Sequence, residues 1–385
     1  MINSILIAFI SAMVAVIWIH PRLVKIAHLK NIVDKPNARK LQQTPVPVLG
    51  GVAVFFGIVL GIALASTYIS CTSLMTIVAA MMIMLYTGTM DDLLDLSALL
   101  RFAVEIGVVL LLIYANDISI NDFNGLWGVS TIPNSLAIPL TIFASVGIIN
   151  AINMIDGVNG LSSGYCIMAS IAFGSMFYAS GNVPMLILAT VSVGSLIPFF
   201  FHNVFGKTSK MFIGDGGSLV MGVVMATFVI NILTDNSTAA NVVGKEFGLV
   251  PFTLAVMAIP VFDTLRVMAS RIARHTSPFH PDKTHLHHLF LELGFSHAGT
   301  TMTIITLNIL VILTQWLTWH LGGSIETQLY IVIVIGVVLT TGFYVCMTSI
   351  SSDSTLARVI RSIGRATHFE RKGAFLILQK IADRS

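Results

Sequence analysis

The stretch "YTGTMDDLLDLS", residues 86–97, ends an apolar run with three carboxylates, Asp91, Asp92 and Asp95. On a helix Asp91 and Asp95 share one face, with Asp92 about 100° round. Adjacent like charges oppose each other's ionisation, so something nearby must want negative charge. Hard oxygen ligands clustered in this way suit Mg2+, which keeps several waters and takes one or two carboxylates plus substrate phosphates. Mn2+ accepts the same ligands. A solvated helix end is the plain alternative for a triplet standing alone.

The triplet does not stand alone. "NAINMIDGVNGLSSG", residues 150–164, repeats Asn150, Asn153 and Asp156 every three positions among glycines, which permit tight turns and close approach of backbone to a ligand. "KMFIGDGGSLVMG", residues 210–222, brackets Asp215 with glycines just ahead of an apolar helix. Such a turn offers backbone N–H groups and a positive dipole end to phosphate. "RIARHTSPFHPDKTHLHHLF" carries Arg271, Arg274, Lys283, His285, His287 and His288. With no cysteine nearby, these read as cationic and donor groups for phosphate oxygens and not as a zinc set. "DKPNARKLQQTPVPVLGG" adds Asp34, Arg39, Lys40 and a Pro/Gly entry into the next apolar segment. Acids of the Mg2+ type, phosphate-type turns and basic donors together imply handling of a pyrophosphate or of two phosphates.

These loops must be positioned by membrane helices. The chain is 55% hydrophobic and 10% charged, with mean hydropathy +0.89, against about 25% charged for a soluble domain. Apolar segments of spanning length predict an all-α polytopic protein of about eleven transmembrane helices: 2–19, 48–66, 74–90, 99–115, 136–150, 161–180, 185–202, 217–234, 249–267, 301–320 and 328–348. The first segment lacks a basic flank and a cleavage site, so it is read as a retained helix. Every Lys and Arg except Lys245 then falls on one side. By the positive-inside rule the N-terminus lies outside and the C-terminus in the cytoplasm, and all five loops above face the cytoplasm. Residues 1–349 form one transmembrane catalytic domain. Residues 350–385 form a basic tail, read either as an interfacial helix on anionic lipid or as a topological anchor. Glu105 lies one turn beyond Arg101 and is expected to pair with it. The three cysteines have no paired or metal-ligand spacing. One reactant is expected to be a lipid, and no nucleic acid is expected as partner.

In order along the chain, "DKPNARK…PVLGG", "DDLLD", "NMIDGVNGL", "FIGDGGS" and "SPFHPDKTHLHH" resemble the polyprenyl-phosphate N-acetylhexosamine-1-phosphate transferases. Asp95, the "HLHH" run and eleven spans are most similar to the branch that uses N-acetylglucosamine; another branch carries lysine at the position of Asp95. The resemblance implies transfer of GlcNAc-1-phosphate from UDP-GlcNAc to undecaprenyl phosphate with release of UMP, the first membrane step of O-antigen or enterobacterial common antigen synthesis. By motif, Asp91 and Asp92 are the catalytic acids, and Asp215, with Asp156 beside it, is the Mg2+ ligand. Phe212 stacks on uracil, Asn153 and Asn159 line the nucleotide site, and His285, His287 and His288 hold the donor phosphates. Arg39, Lys40, Arg271 and Arg274 are further phosphate contacts, and Asp95, Asn150 and Asp263 support the site. At position 159 the family commonly has aspartate, so base selectivity there loses a charge and gains an NH2 donor. Another UDP-N-acetylhexosamine is the alternative donor, and a homo-oligomer is open. An ion-coupled transporter is the distant alternative; it would place its acids in broken helices near mid-membrane.

Overall fold

The computed structural model describes residues 2–34, 45–240, 246–277, 282–351, 353–368 and 373–384. Helices dominate because nearly every apolar segment is long enough to satisfy its own backbone, the requirement that hydrocarbon imposes. In chain order they are α1 (Ile2–Lys30), α2 (Gly50–Ala65), α3 (Leu74–Leu94), α4 (Ala98–Asn116), α5 (Asn134–Met154), α6 (Leu161–Ser180), α7 (Val183–Phe205), α8 (Gly214–Ile232), α9 (Leu249–Val256), α10 (Ala258–Ala273), α11 (Leu286–Glu292), α12 (His297–His320), α13 (Ile325–Ser349), α14 (Thr355–Ala366) and α15 (Gly373–Ala382). Two antiparallel two-residue strands, β1 (Val33–Asp34) and β2 (Val46–Pro47), depart from the all-helical expectation.

Among the described residues nine helices are long and apolar enough to span a membrane, and ten if α9 and α10 count as one bent span. All eleven expected segments are helical, but α2 has only 16 residues, about 24 Å at 1.5 Å per residue, short of a ~30 Å hydrocarbon core. Helix α1 continues past Pro21 to Lys30, eleven residues beyond the expected boundary. The segment expected as one span over 249–267 is instead broken, with a bend of 74°. Asn308 and Tyr165 take up the backbone groups freed at the break. The Asn308 carboxamide bonds Ile259 N–H at 3.0 Å and the carbonyls of Ala255 and Val256, while Tyr165 donates to Val256 O at 2.5 Å. The bend sends α10 and its polar residues sideways toward α11.

Helix α8 is the centre of the bundle. Every residue in it is buried except Asp215 and Asn231, and it packs against α2, α3, α5 and α6. A helix that is apolar all round is what such a position requires. Small residues let its neighbours approach without the help of a hydrophobic driving force.

Candidate active site

The site begins at the crossing of α3 and α8. A Cβ on Gly88 would lie 2.4 Å from Gly216 N, and one on Gly216 would lie 2.7 Å from Thr89 Oγ1. Only glycine allows this approach, which brings Asp91 and Asp92 near the C-terminal end of α3 to Asp215 at the start of α8. The segment before α8 is fixed from the other side by the "PVPVLGG" entry to α2. Phe212 N–H donates to Pro47 O at 2.8 Å, Gly50 N–H to Phe212 O at 3.0 Å, and Gly51 N–H to Ile213 O at 2.8 Å. Gly214 turns the chain at φ +70°, and a Cβ there would lie 2.7 Å from Asp92 Oδ2.

The carboxylates divide into two kinds. Asp91 is buried and spent: Oδ1 accepts Leu96 N–H at 2.8 Å and Oδ2 accepts Arg101 Nη1 at 2.5 Å. Asp92 is exposed and caps α8, its Oδ2 accepting Asp215 N–H at 2.9 Å, where a carboxylate also favours the helix dipole. The amide expected to receive phosphate at this turn is therefore already occupied. Asp215 Oδ1 accepts Asn153 Nδ2 at 3.0 Å, and the same amide donates to Ser218 Oγ at 2.9 Å. Asp156, at the turn after α5, faces Asp215 and Asp92; enclosure by protein atoms, then these two carboxyls, push its own carboxyl well above the usual range.

Among the described residues Asp92, Asp156 and Asp215 form no ion pair with Lys, Arg or His. Their mutual repulsion calls for a cation, and an all-oxygen donor set selects Mg2+ or Mn2+ over zinc. No three acidic, histidine or cysteine groups among the described residues close on one point. A divalent ion held here would take most of its shell from water and phosphate.

The histidines arrive on α11. Asp263 of α10 organises its start: Oδ2 pairs with His285 Nδ1 at 2.9 Å, both oxygens accept Leu286 N–H at 3.2 Å, and Oδ1 pairs with Arg266 at 2.7 Å. Arg266 also donates to Thr284 O and lies over the Tyr344 ring. His287 is buried with its Nε2 against Gly157, where a Cβ would come within 2.4 Å. The histidine run thus reaches the residue next to Asp156. Burial, then the rings of His288 and His285, push the His287 pKa down to about 3, and burial also lowers His288. At neutral pH these two rings are neutral hydrogen-bonding groups, not the cations expected from sequence.

The remaining expected residues are placed as follows. The Phe212 ring lies 5.6 Å from Lys210 Nζ. Asn159 accepts Thr301 Oγ1 at its carbonyl and bonds His297 Nδ1 through its N–H. Arg271 is buried in a two-pronged pair with Asp282, both contacts 3.1 Å, and Arg274 leans on the same carboxylate at 3.8 Å. The pair ties the end of α10 to the residues just ahead of α11. Asn150 donates to Glu105 at 2.6 Å, tying α5 to α4, while Arg101, expected to pair with Glu105, pairs with Asp91. Asp95 leaves the helix at φ 51° and ends α3, so it does not share a helical face with Asp91. Arg39 and Lys40 lie outside the described residues. Sequence reasoning missed Asn203, whose Oδ1 accepts Gly160 N–H at 2.6 Å and whose Nδ2 donates to Met211 O at 2.7 Å. Its signal was a lone amide at the end of an apolar span, which must find partners when buried.

Residues 74–233, which hold the acid triplet, the Asn/Asp turn and the Asp215 turn, match the family described as glycosyl transferase family 4. A Bacillus subtilis (strain 168) protein named "Probable undecaprenyl-phosphate N-acetylglucosaminyl 1-phosphate transferase" is 31% identical over 301 residues, 78% of this chain and 81% of its own length. The chain belongs to glycosyl transferase family 4. The resemblance to the polyprenyl-phosphate sugar-1-phosphate transferases read from its motifs therefore holds, as does the multi-pass membrane class. Two proteins named "Undecaprenyl-phosphate alpha-N-acetylglucosaminyl 1-phosphate transferase" extend the likeness. That of Escherichia coli O157:H7 is 30% identical over 71% of this chain and 72% of its own, and that of Salmonella typhi is 28% identical over 90% and 91%.

Proposed function

We propose that this family member transfers GlcNAc-1-phosphate from UDP-GlcNAc to undecaprenyl phosphate at the cytoplasmic face of a bacterial inner membrane, releasing UMP. The product would be the lipid-linked primer for O antigen or enterobacterial common antigen. The observation that carries the reading is the group of Asp92, Asp156 and Asp215, which among the described residues form no ion pair with a basic side chain, beside a histidine run and amide-lined turns. The names of the relatives supply the acceptor and the transferred N-acetylglucosaminyl 1-phosphate group, and UDP as its carrier comes from the motif resemblance.

Asp215, with Asp156, would hold a divalent cation, which when bound offsets charge on the donor diphosphate and on departing UMP. Asn153 holds Asp215 in orientation through the 3.0 Å bond. Neutral His287 and His288 donate N–H bonds to phosphate oxygens, with His285 fixed behind them by Asp263. Both Asp91 oxygens are engaged, so Asp91 holds Arg101 in place. Asp92, exposed at the end of α3 beside Asp215, is better placed to orient the lipid phosphate or receive its last proton. A phosphate monoester with its second pKa near 6 is mostly dianionic at neutral pH, so positioning matters more than base strength. A phosphate oxygen of the lipid attacks the sugar-bearing phosphorus in line, and the bond from that phosphorus to the UMP oxygen breaks.

The test is acceptor-dependent UMP release from purified protein across a panel of UDP-sugars, with and without Mg2+. UDP-GlcNAc should be used at least about tenfold better than other UDP-N-acetylhexosamines, a margin one polar contact can supply. Preference for another sugar would move the donor assignment. Stoichiometric UMP release without acceptor would replace direct attack by a covalent phospho-aspartate.

A further inference from the structure

The transferase reading leaves the end of the chain without a task, yet the structure gives it one. Helix α15 packs on α7, with the Phe375 ring 5.2 Å from Phe205. Just beyond it, Asp383 Oδ1 accepts the backbone N–H groups of Lys207, Thr208 and Ser209 at 2.9, 2.9 and 3.0 Å, and Ser209 Oγ at 3.2 Å. Three successive amides converging on one carboxylate form an anion-holding nest, and bonds to an ionised acceptor are roughly twice as strong as neutral ones. Burial pushes the Asp383 carboxyl up, but the amides of Ser209, Lys207 and Thr208 outweigh it and hold it below the usual range. A tail serving only as a topological anchor needs no such fit.

The turn held in this way lines a cavity of about 310 Å³ whose walls include Asn159, Lys207, Lys210, His297, Phe375 and Gln379. The cavity adjoins the turn carrying Asp156, and its Lys210 ammonium lies near the Phe212 ring. Its size is at the lower end of small-ligand sites. Its cations, amides and ring edges suit a nucleoside phosphate better than an acyl chain.

We propose that α15 is a wall of the donor-nucleotide site and that Asp383 is a positioning residue, holding the Lys207–Lys210 turn against the donor. This rests on the UDP-sugar reading above. In the full-length protein, Asp383→Ala should raise KM for UDP-GlcNAc about tenfold, the loss expected of a hydrogen bond to a charged group. Turnover and KM for undecaprenyl phosphate should change less than about twofold. Asp383→Asn keeps a carbonyl oxygen for the amides and should restore most of the donor affinity. Gln379→Glu leaves the Asp383 contacts intact and sets a negative charge in the cavity, so it should raise donor KM with an unchanged melting temperature. It is decisive if Asp383→Ala fails to fold. An active wild type whose donor KM is indifferent to Gln379→Glu and Asp383→Ala overturns this inference alone. A wild type that neither binds nor uses UDP-GlcNAc overturns the donor reading, and the inference with it.

Discussion

Replacing Gly88 by alanine is the sharpest probe of how this site is assembled, because it touches no expected ligand. The added methyl would sit 2.4 Å from Gly216 N and 2.5 Å from the Asp215 carbonyl carbon, where ordinary contact begins at 3.4 Å. Both opposing atoms are backbone, so α3 and α8 must separate by about 1 Å, as overpacked interiors do at a cost of about 1–3 kcal/mol. The Asp92–Asp215 amide bond, 2.9 Å in the native crossing, would stretch beyond bonding distance, and Asp91 and Asp92 would shift together relative to Asp215. Misplacement on this scale costs about 10²-fold in rate even when every chemical group survives. The assay is acceptor-dependent UMP release at saturating donor and Mg2+, with melting temperature measured on the same samples. Gly107→Ala and Gly147→Ala are the controls, since a methyl there meets nothing within 4 Å; both should keep wild-type rates. Activity of Gly88→Ala within about threefold of wild type would refute the reasoning, since a 1 Å shift should cost far more.

Three further outcomes follow from the geometry. Asp215→Asn should abolish Mg2+-dependent UMP release while the protein stays folded, because the change relieves repulsion among the acids; retained metal-dependent activity would remove Asp215 from the cation site. Asp263→Ala strips Arg266 of a buried counter-charge and His285 of its hydrogen-bond partner, so it should destabilise the fold by about 3–5 kcal/mol, read as a lower melting temperature together with weaker donor binding. His287, with its pKa pushed down to about 3 against an unfolded value near 6.5, makes the unfolded chain bind more protons between those values. Stability should therefore fall as pH drops below 6.5, by about 2 kcal/mol at pH 5. The melting temperature of His287→Gln should lose that part of the slope, and an unchanged slope would mean that His287 is not buried neutral.

The extent of what the sequence disclosed follows from the range of each interaction. Hydropathy is local, so helix existence was readable nearly everywhere. The break between α9 and α10 was not, because it depends on Asn308 and Tyr165 from α12 and α6 meeting the freed backbone. The meeting of Asp92 with Asp215 was foreshadowed by motif chemistry, since adjacent acids require a cation or a donor. Their actual partners were not legible. Arg101 looked like a neighbour of Glu105 at helical spacing, but the end of α3 at Asp95 turns the chain so that Arg101 meets Asp91. Arg271 and Arg274 carried the right charge for phosphate, yet Asp282, eleven residues from Arg271, claims both. A charge in the sequence shows a need for a partner and says little about which one.

The same logic explains why an acidic cluster persists at the end of a membrane bundle. Four carboxyls in such a place would be costly if all four faced hydrocarbon or one another. Asp91 is matched by Arg101 and by Leu96 N–H, and Asp92 by the start of α8, so two of the four have native partners. Asp215 has the Asn153 amide but also lies against the Asp91 carboxyl, and Asp156 has carboxyl neighbours. The unmatched pair is therefore where an incoming cation gains most, and the matched pair fixes its walls. Exchanging these roles tests the division: Asp91→Asn should chiefly loosen Arg101 and lower thermal stability, with Mg2+ still supporting turnover. Asp156→Asn should leave stability equal or higher while raising the Mg2+ concentration needed for half-maximal rate, by about tenfold if one metal contact is lost. Equal Mg2+ dependence in the two variants would show that the four acids act as one undivided cluster.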